Sequence, residues 1–89
     1  MRNEYKRILG EELRVLAIQT RAKHNLSQRE MGERLYISES SYSDIERGVS
    51  HCSATTAALL LEMQDDPKAF LQMVREKYTQ WYETEMRTA

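Results

Sequence analysis

Three glycines and one proline in 89 residues are too few turn formers for a chain of hairpins, which needs such residues every few positions. Helices joined by short links are the alternative, and residues that start and stop helices recur along the chain. Ser27-Gln28-Arg29-Glu30 has the form of a capping box, in which the serine hydroxyl accepts from the glutamate amide and the glutamate carboxylate reaches back to the serine amide. Ser38 and Ser53 can cap two more helices, and Gly48 is placed to stop the first of them in a left-handed conformation. Asp66-Pro67 reads as a cap followed by proline in the first helical position. Leu9, Leu13, Leu16 and Thr20 form one stripe of a helix running from Tyr5 to about Lys23. The pattern predicts an all-α chain of five helices: 5 to about 23, a short one from Gln28, Ser38 to Arg47, Ser53 to about Met63, and Pro67 to about Glu85.

Size and composition narrow the function classes. A chain this short cannot hold a large α/β enzyme architecture. Its longest apolar run, Ala57-Ala58-Leu59-Leu60-Leu61, is far below the ~20 residues of a membrane span. The opening Met1-Arg2-Asn3-Glu4-Tyr5 lacks the apolar stretch of a secretory signal, and the lone Cys52 cannot form an internal disulfide, so the expected location is cytoplasmic. Net charge is −1, yet it is unevenly spread: residues 1–26 carry +3, 27–48 carry −2, 49–66 carry −3 and 67–89 carry +1. Any surface that meets a polyanion has to draw its cations from the N-terminal segment.

Between Gln28 and Arg47 the apolar positions are Met31, Leu35, Ile37, Tyr42 and Ile45, with Gly32 beside the first. Two amphipathic helices crossing over a short turn produce this set: Met31 and Leu35 line one helix, Ile37 plugs the turn, and Tyr42 and Ile45 line the other. Gly32 allows the close backbone approach that such a crossing needs. With Leu26-Ser27-Gln28 at its opening and Ile45-Glu46-Arg47-Gly48 at its close, the segment resembles the lambda-repressor/Cro-like (xenobiotic response element type) helix-turn-helix family over roughly residues 9–63.

That resemblance implies a repressor-like domain with an extra C-terminal helix, and a DNA-binding regulator of transcription acting as a homodimer. The helix Ser38–Arg47 would lie in the major groove, with Glu39, Ser40, Ser43 and Asp44 toward base edges. Gln28, Arg29, Ser41 and the amides of Val49 and Ser50 would meet phosphates, helped by Arg21 and Lys23. Glu46 would pair inward with Arg14 or Arg21. Two departures stand out. Tyr36 occupies the left-handed turn position where relatives carry glycine, and Glu39 and Asp44 place carboxylates where relatives offer cations or amides. A carboxylate in the groove accepts from cytosine and repels phosphate. The alternative is therefore a protein-interaction module on the same scaffold, adaptor- or antitoxin-like, with little duplex binding. A basic rim of Arg21, Lys23, Arg29 and Arg47 would favour DNA.

Other chemistry is poorly supported. His51-Cys52 and His24 do not make the three or four ligands of a metal site, and neighbouring residues cannot face one another as a nucleophile and its base. No catalytic residue, metal or cofactor is expected. Met31, Met63, Met73 and Met86 read as core fillers. In the tail, Leu71, Val74, Tyr78 and Trp81 repeat at heptad spacing beside Tyr82. A repressor-like unit over 1–66 is expected to close without it, so residues 67–89 fold back on the first helix, form the dimer contact, or do both at once. The expected contact residues are Leu71, Val74, Tyr78, Trp81 and Tyr82.

Overall fold

The computed structural model describes residues 2–88, so Met1 and Ala89, the outermost positions of the two expected segments, lie outside the described residues. Five helices follow one another, α1 (Arg2–Lys23), α2 (Gln28–Arg34), α3 (Glu39–Glu46), α4 (Ala54–Glu62) and α5 (Pro67–Thr88), and no strand occurs among the described residues. Side-chain caps set the starts. Ser27 and Glu30 form the reciprocal capping box, with bonds of 3.0 and 2.9 Å. Ser38 and Ser53 each accept the amide three residues on, at 3.1 Å. Asp66 accepts from Ala69 at 3.2 Å ahead of Pro67. The helix ends differ more from the expected bounds: α1 begins at Arg2 rather than Tyr5, and α5 continues past Glu85.

Three stops use left-handed backbone. Gly48 has φ +76° directly after α3, as expected for a glycine stop. Asn25, at φ 54°, turns the chain between α1 and α2; asparagine tolerates this conformation better than most residues. Tyr36 also adopts it, at φ 57°, in the turn between α2 and α3. An aromatic side chain there costs about 1 kcal/mol, and with the ring 84% exposed no packing offsets the strain.

The core brings together Ile8, Leu13 and Ala17 from α1, Met31 and Leu35, Tyr42 from α3, Leu60 from α4, and Phe70 and Val74 from α5. Of the predicted stripe on α1, Leu13 and Thr20 are buried while Leu9 and Leu16 are half-buried. The buried face is wider than that stripe because α1 is covered on two sides. Toward α3 it presents Ala17, whose carbonyl lies 3.3 Å from the Tyr42 hydroxyl. Toward α5 it presents Tyr5, whose ring meets Tyr78 edge-on at 5.4 Å, and Glu12, which accepts from Lys77 at 2.6 Å.

The tail thus folds back along α1. Two expectations change with it. The core is not confined to residues 1–66, since Phe70 and Val74 of α5 belong to it. Val74 is fully buried within its own chain, so it cannot also contact a partner. Of the heptad positions, Val74 is buried and Tyr78 and Trp81 pack against the core, whereas Leu71 is 43% exposed and Phe70, outside the heptad, is buried. Among the methionines, Met31 is fully buried, whereas Met86 is 54% exposed and fills no core.

Candidate nucleic-acid interface

The crossing of α2 and α3 is fixed by the absence of a side chain at Gly32. A Cβ there would stand 2.9 Å from the Ile37 carbonyl oxygen and 3.2 Å from that of Ser38. Both are backbone atoms, so any larger residue would push the turn and α3 away. From the other side, Tyr42 (0% exposed) and Ile45 (6%) anchor α3 to the body. Two buried positions three apart define the inner face of a helix. The outer face therefore carries Ser40, Ser43, Asp44 and Arg47, with Glu39 beside them.

Polar bonds then lock the helix in rotation. The Glu46 carboxylate accepts from Arg21 Nε at 2.7 Å and Nη2 at 3.1 Å, from Gln28 Nε2 at 3.1 Å and from the Tyr42 hydroxyl. Arg21 also donates to the Leu26 carbonyl at 3.2 Å. One carboxylate ties α1, α2 and α3 together, and its side chain is only 10% exposed. Burial by itself would raise the Glu46 pKa, but the bonds from Arg21, Tyr42 and Gln28 outweigh it and hold the carboxyl below its ordinary 4.5. Burial, reinforced by the bond to Glu46, pushes the Tyr42 hydroxyl well above its usual range. Of the two arginines expected as partners of Glu46, Arg21 is the one used. Arg14 lies instead beside Gly48 and Glu11.

Several residues expected at phosphates are committed elsewhere. The amides of Val49 and Ser50 both donate to the Asp44 carbonyl, at 2.9 and 3.2 Å, so neither is free to bind an anion. Their bonds close the loop after α3, a feature that side-chain patterns do not reveal. Arg21 and the side chain of Gln28 serve Glu46. Lys23 pairs with Asp65 at 3.2 Å and Arg29 with Glu33 at 3.5 Å, and in both cases the cation is well exposed. Ser41 is exposed and its hydroxyl accepts from Ser38 at 2.9 Å. On the outer face, Glu39 and Ser40 are exposed and Ser43 is half-buried, while Asp44 bonds to Arg47. Arg47, which the sequence places only in a basic rim, is the cation of this face.

Among the described residues no group of three histidine, cysteine or acidic side chains could hold a metal ion, and no helix is long and apolar enough to cross a membrane. Burial raises the Cys52 thiol pKa, which disfavours the reactive thiolate.

An all-α unit whose second and third helices cross over a short turn, leaving one helix face open, is a helix-turn-helix domain. Residues 18–63 match the helix-turn-helix family model, a stretch that runs from the second half of α1 through α4, and the chain belongs to this lambda-repressor/Cro-like family. It is a family of DNA-binding regulatory domains and not of enzymes. No curated protein and no solved structure matches the chain.

Proposed function

We propose that this protein is a cytoplasmic, sequence-specific regulator of transcription that inserts α3 into the major groove of duplex DNA. The observation that carries the reading is the open face of α3, held in a fixed rotation by the Glu46 network. Glu39, Ser40, Ser43 and Asp44 are the base-facing residues. Lys23, Arg29 and Ser41 supply contacts to the backbone, because exposed ion pairs are worth only about 0–1 kcal/mol and exchange readily for phosphate.

A single unit of this size reads too few bases for useful specificity, so the protein acts as a homodimer on two half-sites roughly 34 Å apart. Leu71, 43% exposed, and the half-buried Tyr78, Trp81 and Tyr82 are the proposed contacts. Trp81→Ala and Leu71→Glu should each shift sedimentation toward the monomer at micromolar concentration, on the order of ordinary interface affinities. Dimers that persist in both would place the contact elsewhere.

One observation favours the protein-binding alternative. All four cations of the expected basic rim are paired with acids: Arg21 with Glu46, Lys23 with Asp65, Arg29 with Glu33 and Arg47 with Asp44. A salt titration on a duplex fragment library separates the two. About four to six phosphate contacts per dimer give a slope of log affinity on log salt of roughly −4 to −5. No binding at about 50 mM salt, a condition that favours phosphate contacts, would overturn the duplex reading and favour the protein-partner one.

A further inference from the structure

We propose that Arg47, positioned by Asp44, reads a guanine from the C-terminal end of α3. The inference rests on the major-groove reading above and assigns a specificity residue within it. Arg47 caps α3 and its side chain is 64% exposed. It lies on the same face as Ser40 and Ser43, and Nη2 donates to the Asp44 carboxylate one turn back.

Three features point to a base edge rather than to a phosphate. First, Asp44 is only 32% exposed, against 93% for Asp65 and 67% for Glu33, so it offsets more of its cation's attraction for a charged backbone than those acids do. The directional donors remain, since an arginine has five N–H groups and Asp44 engages only one nitrogen. A fork of partly neutralised charge with free donors suits the O6 and N7 acceptors of guanine. Second, the side chains between the two ends of the face, Ser40 and Ser43, are small, so the helix backbone can sit close to the groove floor. Only Glu39 and Arg47 then extend far along it. Third, the end of α3 is firmly held: Gly48 turns the chain at φ +76°, and the amides of Val49 and Ser50 fasten to the Asp44 carbonyl. Asp44 is thus fixed through its backbone and holds Arg47 through its side chain.

Glu39 and Arg47 are eight positions apart, about 12 Å along a helix axis. That distance spans three to four base steps at ~3.4 Å each. The preferred half-site should therefore contain a cytosine, whose amino group Glu39 accepts, and a guanine about three or four base pairs away.

The test is selection of bound duplexes from a random-sequence library, followed by titration of the selected duplex with each base substituted in turn, at several salt concentrations. Wild type should lose about 10- to 100-fold in affinity when the guanine is replaced, the range of one bidentate arginine contact. Arg47→Ala should abolish that preference while leaving the salt slope and the melting temperature nearly unchanged. Arg47→Lys, which keeps the charge and loses the planar fork, should weaken the preference without abolishing it. Asp44→Asn should weaken the preference for guanine relative to other bases without changing which base is preferred elsewhere in the site. The assignment is overturned if Arg47→Ala weakens all sequences equally and makes the salt slope shallower by about one, the mark of a phosphate contact. Absence of duplex binding by the wild type would remove the groove reading itself, whereas wild-type binding with that phosphate-like result would overturn the Arg47 assignment alone.

Discussion

In the α2–α3 unit a carboxylate, Glu46, collects hydrogen bonds from α1, α2 and its own helix, whereas α5 rests on α1 mainly through rings and aliphatic side chains. The Tyr5–Tyr78 ring pair, at 5.4 Å, is typical of that second contact. Hydrogen bonds to a carboxylate are directional, so a shift in the angle of α3 would break several at once. Apolar burial is proportional to area and nearly indifferent to small slides. The polar hub therefore supplies orientation where a helix must present one face, and the α1–α5 contact supplies much of the stability that a domain this small needs.

The largest effect should come from the apolar side. Phe70→Ala removes a buried ring and should cost about 3–5 kcal/mol in chemical denaturation. Below the denaturation transition, the surviving folded protein should keep its preferred DNA sequence. A changed preference would show that α5 also sets the angle of α3, and would break the division of labour.

Glu46→Ala should cost somewhat less, about 2–3 kcal/mol, because Arg21 and the Tyr42 hydroxyl lose a partner in a partly shielded site. It should nevertheless impair DNA binding more than Phe70→Ala does when both are measured as folded protein. The pH dependence follows from the depressed pKa of Glu46. The unfolded chain binds the proton more readily than the folded one, so the stabilisation is complete above about pH 4.5 and is lost as pH falls through the lower folded value. Glu30, held down by its backbone and side-chain bonds to Ser27, has the same sign. Acid titration of stability should accordingly be shallower in Glu46→Gln than in wild type. Identical acid curves would mean that the hub contributes nothing in solution.

Smaller effects sharpen the account of the turns. Gly48→Val should cost about 1–2 kcal/mol through left-handed strain alone, because a Cβ at this position would meet only Arg14 atoms at 3.6 Å or more. An unchanged melting curve would place the end of α3 elsewhere. Tyr36→Gly should be neutral or stabilise by up to about 0.5 kcal/mol, since relief of the positive φ at least matches the added chain entropy and an exposed ring loses no packing. Destabilisation there would reveal a contact for the Tyr36 ring.

The parts of this design that were legible in the sequence are those encoded within a few residues. The caps at Ser27, Ser38 and Ser53 and the stop at Gly48 each depend on a side chain and a nearby amide, or on one backbone angle, and they located α2, α3 and α4. Met31, Leu35, Tyr42 and Ile45 were identifiable as the inward set because burial follows helix periodicity. The choice of Arg21 over Arg14 for Glu46 depends on how α1 crosses α3, which no local pattern specifies. Val74 could be placed on the apolar side of α5, but a heptad does not say whether the covering surface belongs to the same chain. No side-chain pattern shows that the amides of Val49 and Ser50 are occupied, because their acceptor is a backbone carbonyl. Asn25 carries a signal in its residue type, which permits the left-handed turn it makes.

The most direct test of the central claim, that the open face of α3 meets the duplex while the α1–α5 pair stays clear of it, is a backbone amide NMR titration with a selected duplex at constant protein concentration. The account predicts the largest shifts at Glu39, Ser40, Ser43 and Arg47, with the indole signal of Trp81 nearly unchanged. Large shifts at Tyr78, Trp81 and Tyr82 with a silent α3 would contradict it.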